Sequence, residues 1–433
     1  MFSSVLQSAL TTPASARLSL VRRVRVPRDL ESVTTVGPEE DPESADLTLD
    51  AVESIWQAAV DLYRTGAHPA VQLCLRRRGR VVLNRAIGHG WGNGPGESRD
   101  AEQVLATPDT PFCVYSAAKG FAATVGHVLL ERGVIGLEDL VTDYLPGYGK
   151  HGKGGTTVAH VLTHRAGVPF LPAANADLDR LNDRDFIRDA LCELRPTYAP
   201  GSRLAYHALT AGYLLGEIVQ VATGKGIREV LAEEILGPLG FRWSNFGVAA
   251  TDVAAVAPAY VTGLRMVPPA SLMLARALSG PFDHVVGMSN DPRFLTAVVP
   301  SANTVTTAFE MSRFYELLRR GGDLDGVRVL TPETLRHAVM PTAHLEPDRV
   351  LGWFPVRYGT GYMLGARYVS LFGQDTDRAF GHLGLMNVLG WADPSRALSG
   401  GLITSGKAVV YPGVERFPRL ANRMAARIPK VPD

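Results

Sequence analysis

Two residues of this chain have types and spacing that suit covalent chemistry: Ser116 and Lys119, in Ser116-Ala117-Ala118-Lys119. A serine hydroxyl is a weak nucleophile that needs an adjacent base, and an amine can serve as that base. In a helix, residues i and i+3 share a face with Cβ atoms about 5–6 Å apart, so the amine reaches the hydroxyl. The positions that follow predict such a helix: Phe121, Ala122, Val125, Val128 and Leu129 recur at helical spacing, and Gly133 marks a stop. The pair then stands at a helix N-terminus, where free N–H groups and the dipole favour a developing anion. The apolar run Pro111 to Tyr115 precedes it, so Lys119 is expected to be partly desolvated. Burial disfavours the ammonium and lets lysine accept a proton near neutral pH. On spacing alone, an incidental serine beside a solvated lysine remains an open alternative.

A chain of 433 residues with 46% hydrophobic content can bury more than one compact lobe. Its net charge of +1 gives no reason to expect a nucleic acid partner. Cys74, Cys113 and Cys192 are scattered, which points to neither a disulfide framework nor a zinc site and fits a reducing compartment. No apolar stretch has the length of a membrane span. The first 28 residues hold five arginines and no acid, a composition shared with transit peptides, but no secretory pattern. A cytoplasmic location is therefore expected. Residues 1–46 are expected to be a flexible arm and acidic linker, with folded structure starting near Leu47.

The elements that must position Ser116 come from both chain ends. Residues 47–65 have the pattern of an amphipathic helix, followed by strands at Val71–Leu75 and Val81–Ile87 around a turn at Arg76–Arg80 that should be solvated. Helical patterns dominate from Ser116 to about 340, including Ala211–Ala222, Ile227–Ile235 and Ala308–Arg320. Strand patterns return at Tyr362–Leu364, Ala379–His382, Val388–Ala392 and Leu402–Tyr411, before a closing helix over 414–428. The expected fold is α+β: one antiparallel sheet flanked by terminal helices, about 47–110 and 345–433, with a helical lobe inserted at about 111–344. A cleft between the lobes is the natural place for a ligand.

Five ordered blocks resemble the serine hydrolases of the class C β-lactamase and family VIII carboxylesterase group: 111–120, 158–168, 198–219, 300–322 and 381–394. The resemblance spans roughly residues 50–428 and implies a β-lactamase/transpeptidase-like fold without cofactor or metal. It implies that Ser116 attacks an acyl carbonyl, that Lys119 helps remove its proton, and that Tyr206 completes the relay. His382-Leu383-Gly384 stands where many β-lactamases carry K-T-G. The family esterases imply an edge strand there, with the Leu385 and Ser116 amides as oxyanion hole and His382 near substrate or Tyr206. Tyr206-His207-Ala208 lacks the asparagine, and H-L-G the cation, that serve a β-lactam. The resemblance therefore implies a small-molecule ester of short or medium acyl chain, with acyl transfer or weak β-lactamase or D-alanyl peptidase activity as alternatives. A non-catalytic scaffold is the alternative of another class.

Other signals are set aside. Residues 147–153 match P-loop spacing, but Gly154 stands where Ser or Thr should hold magnesium. His160 and His164 have zinc-helix spacing without the glutamate between them, and there is no G-x-S-x-G. Residues 251–299 lie where the group covers its acyl pocket, with Leu272, Met273, Phe282 and Met288 as candidate lining, whereas Tyr115 and Trp391 are read as core.

Overall fold

The computed structural model describes residues 21–172, 177–343, 345–352 and 355–432. Its frame is an antiparallel sheet drawn from both chain ends. The strands are β1 (Thr34–Val36), β2 (Ala70–Arg77), β3 (Arg80–Trp91), β4 (Glu346–Pro347), β5 (Pro355–Tyr358), β6 (Met363–Leu364), β7 (Phe380–Gly384), β8 (Val388–Asp393) and β9 (Leu398–Thr404). They lie in the order β4-β5-β6-β7-β8-β9-β2-β3-β1. The seam joining the two ends is β9 against β2, in register from Leu398 opposite Arg77 to Thr404 opposite Val71.

Helices α1 (Leu49–Tyr63) and α7 (Arg416–Arg427) pack together on one face of this sheet, with Ile55, Leu62, Leu420 and Ile428 fully buried. Thr48 starts α1 by accepting the Ala51 amide, as a cap should. The other face carries the helical lobe, with α2 (Ala118–Glu131) and α3 (Thr210–Thr223) at its centre. The α+β architecture expected from the sequence is the one observed.

Four details differ from expectation. Structure begins before residue 47: β1 pairs with β3, Val21–Arg22 pairs with Gly263–Leu264, and Val33 and Ala45 are buried. The acids read as a solvated linker are complementary to strand arginines, Glu39 at 2.8 Å from Arg85 and Glu40 at 2.9 Å from Arg80. The rest of the expected arm, residues 1–20, lies outside the described residues. Arg76 and Arg77 are not in a solvated turn but buried in β2. The Arg76 Nε donates to Ser312 Oγ at 3.0 Å and its guanidinium covers the Phe309 ring, so no basic patch forms.

The helix at Ala308–Arg319, labelled α6 after α4 (Ala270–Leu278) and α5 (Phe282–Met288), packs on the sheet across β2, β8 and β9. It also touches α2, with Phe314 stacked on Phe121 at 4.0 Å between ring centroids, so it bridges the sheet and the helical lobe. Finally, β7 is internal, because β6 pairs with its first two residues, Phe380 and Gly381; only His382–Gly384 face away from a strand partner on that side.

The approach of α6 to the sheet depends on Gly401, where an added Cβ would stand 2.5 Å from the Ala308 carbonyl oxygen. Overpacking of this kind costs about 1–3 kcal/mol. Gly401→Ala is expected to lower the urea unfolding midpoint by a corresponding amount at unchanged slope; an unshifted midpoint would show that α6 is not packed against this strand.

Candidate active site

Ser116 lies in a single 3-10 turn, Tyr115–Ala117, that runs into α2, so the serine precedes the α-helix and Lys119 sits in its first turn. Tyr115 has φ +49°, a left-handed conformation that costs an aromatic residue free energy and is found where surroundings enforce it. The enforcing contact is with β7. At Gly384 a Cβ would stand 2.3 Å from the Val114 carbonyl oxygen, so glycine lets the strand end come up to the Ser116 turn. Leu385, the next residue, lines the same cavity as Ser116. Among the described residues neither the Ser116 nor the Leu385 amide N–H is taken by a backbone hydrogen bond.

Lys119 is 6% exposed, and its Nζ lies 3.3 Å from Ser116 Oγ, 2.8 Å from the Ala208 carbonyl and 3.1 Å from the Ser301 carbonyl. Burial pushes its pKa well below the ordinary lysine value. A neutral amine has two N–H bonds and one lone pair. The two carbonyls take both N–H bonds, which leaves the lone pair for the Ser116 hydroxyl. Lysine and serine thus meet as the spacing predicts, but the carbonyls of Ala208 and Ser301 aim the amine.

Tyr206 is buried on the loop entering α3, and Lys119 Nζ sits over its ring, 4.7 Å from the centroid. Desolvation raises the phenol pKa, while the Ser116 side chain is the partner that favours ionisation. At rest the tyrosine is therefore a neutral proton donor. Its loop is pinned by Asp348, the residue after β4, whose Oδ1 accepts the Tyr206 amide at 3.2 Å and the Val350 and Leu351 amides at 2.8 and 3.0 Å. His164 packs on the Tyr206 ring at 4.8 Å between centroids and its Nδ1 accepts the His207 amide.

His382 is brought to the site but not to the cavity. It is 1% exposed, its Nδ1 is 2.8 Å from the Leu383 carbonyl, and its ring lies 6.2 Å from that of Tyr206. A substrate contact from His382 is therefore not what the geometry provides, since the ring stands behind Tyr206.

The cavity opening at Ser116 measures about 330 Å³ and has no lysine, arginine or carboxylate in its lining. Leu209, Tyr213, Leu278, Val285 and Phe294 supply much of its wall. Met288 lines it as expected, whereas Leu272 and Met273 face outward at 66% and 60% exposure, and Phe282 is buried in the adjoining cluster. Tyr115 is buried in a core cluster as expected and also lines the cavity; Trp391 is core. His160 caps the short helix Val158–Leu162 through Thr157, and Lys153, in the rejected P-loop, donates to the Lys150, Cys192 and Leu194 carbonyls. No group of three or more metal-ligating side chains occurs among the described residues, and no described helix is long and apolar enough to cross a membrane.

The buried imidazoles make stability depend on pH. Desolvation lowers His68, His207 and His382 to about 3, 4 and 3. An unfolded imidazole titrates near 6.5, so the unfolded chain takes up these protons first as pH falls. Stability is complete above about pH 6.5 and is lost toward pH 4, by up to about 1.4 kcal/mol per unit for each imidazole. Urea unfolding at pH 7 and pH 5 should show this loss, and His382→Gln should reduce its slope by about one proton. An undiminished slope would mean that His382 is protonated in the folded state.

The same architecture recurs among known proteins. The family model described as Beta-lactamase matches residues 52–422. "Esterase/beta-lactamase LipL" of Mycobacterium tuberculosis is 31% identical over 310 residues, 68% of this chain and 69% of that protein. A penicillin-binding protein homologue from Caulobacter crescentus superposes with TM-score 0.73 at 25% identity, over 88% of this chain and 98% of its own. A structure titled as a family VIII carboxylesterase gives TM-score 0.73 at 25% identity, over 87% and 98%. With a match over most of its length, and a serine and a buried lysine meeting at the cavity floor, the chain belongs to the beta-lactamase family of serine hydrolases.

Proposed function

We propose that this protein is a carboxylesterase that hydrolyses short- to medium-chain acyl esters through an acyl-enzyme on Ser116. The observation that carries this reading is the cavity at Ser116, whose lining is mostly apolar and holds no lysine, arginine or carboxylate, with His284 as its one imidazole. A β-lactam or a D-alanyl peptide presents a carboxylate, and burying that charge without a cation is costly. An uncharged ester incurs no such penalty, and its acyl methylenes gain about 0.8 kcal/mol each from burial. The relatives named as esterases support the same reading.

The steps follow from the protonation states. Ser116 Oγ attacks the ester carbonyl as its proton passes to the lone pair of Lys119. The oxyanion is received by the Ser116 and Leu385 amides; one such donor is worth about 2.7–4 kcal/mol. Tyr206 gives its proton to the departing alkoxide, leaving a tyrosinate beside the new Lys119 ammonium. Water then attacks the acyl-enzyme and returns a proton to Tyr206, while Ser116 regains its proton from Lys119. The acid leaves with every group restored.

This division of labour separates Tyr206 from Lys119 experimentally. Ser116→Ala is expected to lower kcat/KM on p-nitrophenyl butyrate about 10³-fold or more. Tyr206→Phe should cost about 10²–10⁴ on ethyl butyrate, whose alkoxide needs the proton, and far less on the p-nitrophenyl ester, whose phenolate leaves without it. Equal losses on both esters would remove Tyr206 as the acid, and activity surviving Ser116→Ala would remove the acyl-enzyme.

The base assignment has its own signature. The amine must be unprotonated, so kcat/KM should rise with pH through the pKa of Lys119, on a limb lying well below the ordinary lysine value. Lys119→Arg, always charged, should lack that limb and be nearly inactive in pH–rate measurements.

A further inference from the structure

A second pocket of about 160 Å³ lies beside the acyl cavity, lined by Trp91, Cys113, Val253, Val256 and Leu295 and reaching exposed Ala254 and Asn290. Ser289 lines both. Its hydroxyl donates to the Val286 carbonyl at 2.8 Å and therefore accepts from the Tyr115 hydroxyl, 2.5 Å away. Tyr115 in turn is backed by Lys407, whose buried Nζ sits 5.0 Å from the ring centroid and donates to the Thr404 carbonyl. The hydrogen bond in front and the lysine behind leave this ring little freedom to move.

We propose that Tyr115 and Ser289 are the end wall of the acyl cavity, that they set the longest acyl chain the enzyme accepts, and that the pocket behind them is a latent extension of the same site. The inference rests on the esterase reading above. An acyl chain attached to Ser116 starts beside Tyr115 and can lengthen only along the apolar walls until it meets the Tyr115–Ser289 pair. The pair makes a rigid stop, because parting it strands the Tyr115 hydroxyl, whose acceptor is Ser289, away from water. Beyond the stop the lining is apolar again, so a chain admitted there would gain burial with each methylene.

The test compares wild type, Ser289→Gly, and Ser289→Gly with Val253→Phe, which fills the second pocket. Substrates are p-nitrophenyl alkanoates from acetate to laurate, alongside alkyl acetates that lengthen the alcohol instead. The wild-type ratio of long-chain to acetate kcat/KM should fall beyond the chain that fills the cavity. Ser289→Gly should raise that ratio by about fourfold for each further methylene admitted, and Val253→Phe should cancel the rise.

If glycine at the end of α5 impairs folding, Ser289→Ala should give a smaller rise in the same direction. Intact-mass measurement of Ser116 labelling by alkyl phosphonates of graded length should follow the same order without requiring turnover. An unchanged acyl profile in both Ser289 variants, a rise that Val253→Phe leaves standing, or a shift confined to the alkyl acetates overturns the wall while leaving the esterase reading intact. Absence of both turnover and Ser116 labelling in wild type overturns that reading and the wall with it.

Discussion

The structure turns on keeping one lysine amine out of water. A solvated Lys119 would be an ammonium with no lone pair to offer, so the burial of this side chain sets its chemistry as much as its identity does. Three separate stretches achieve that burial: the first turn of α2 carries the amine, the loop before α3 covers it with Tyr206 and the Ala208 carbonyl, and Ser301 closes the remaining side. Burial there disfavours the ammonium and holds the Lys119 pKa well below the ordinary lysine value. The sheet holds these stretches in place, through β7 against the Ser116 turn and α6 across β2, β8 and β9.

Much of this arrangement could be read from side-chain chemistry. The Ser116 and Lys119 spacing, the helix behind it and the sheet assembled from both chain ends are all encoded in patterns of type and period. What could not be read has a common physical origin. The Ala208 and Ser301 carbonyls that orient Lys119 belong to the backbone, and no residue type advertises a backbone acceptor. The left-handed Tyr115 follows from how closely Gly384 lets β7 approach, which is a property of packing rather than of local propensity. Asp348 supports Tyr206 across 142 positions of chain, and nothing near either residue signals the pairing. The acidic segment at 39–40 shows the opposite failure: its composition suggested solvent, whereas Arg80 and Arg85 were waiting on a strand.

The histidines around the site bear on how Lys119 could cycle as the proposed base without destabilising its surroundings. His164, His207 and His382 are all held neutral, first by desolvation, and a protonated Lys119 opposes a proton on each of them. A proton placed on any of these groups would be opposed by the others, so a stray proton has no stable position among them. In the proposed cycle the positive charge that forms at Lys119 is matched first by the oxyanion and then by the tyrosinate of Tyr206, whose ring already lies under the amine. The net charge of the interior then stays constant from free enzyme to acyl-enzyme and back. A site that creates charge only in adjacent pairs can remain apolar throughout, and an apolar interior keeps both the Lys119 lone pair and the Tyr206 proton ready for the next ester.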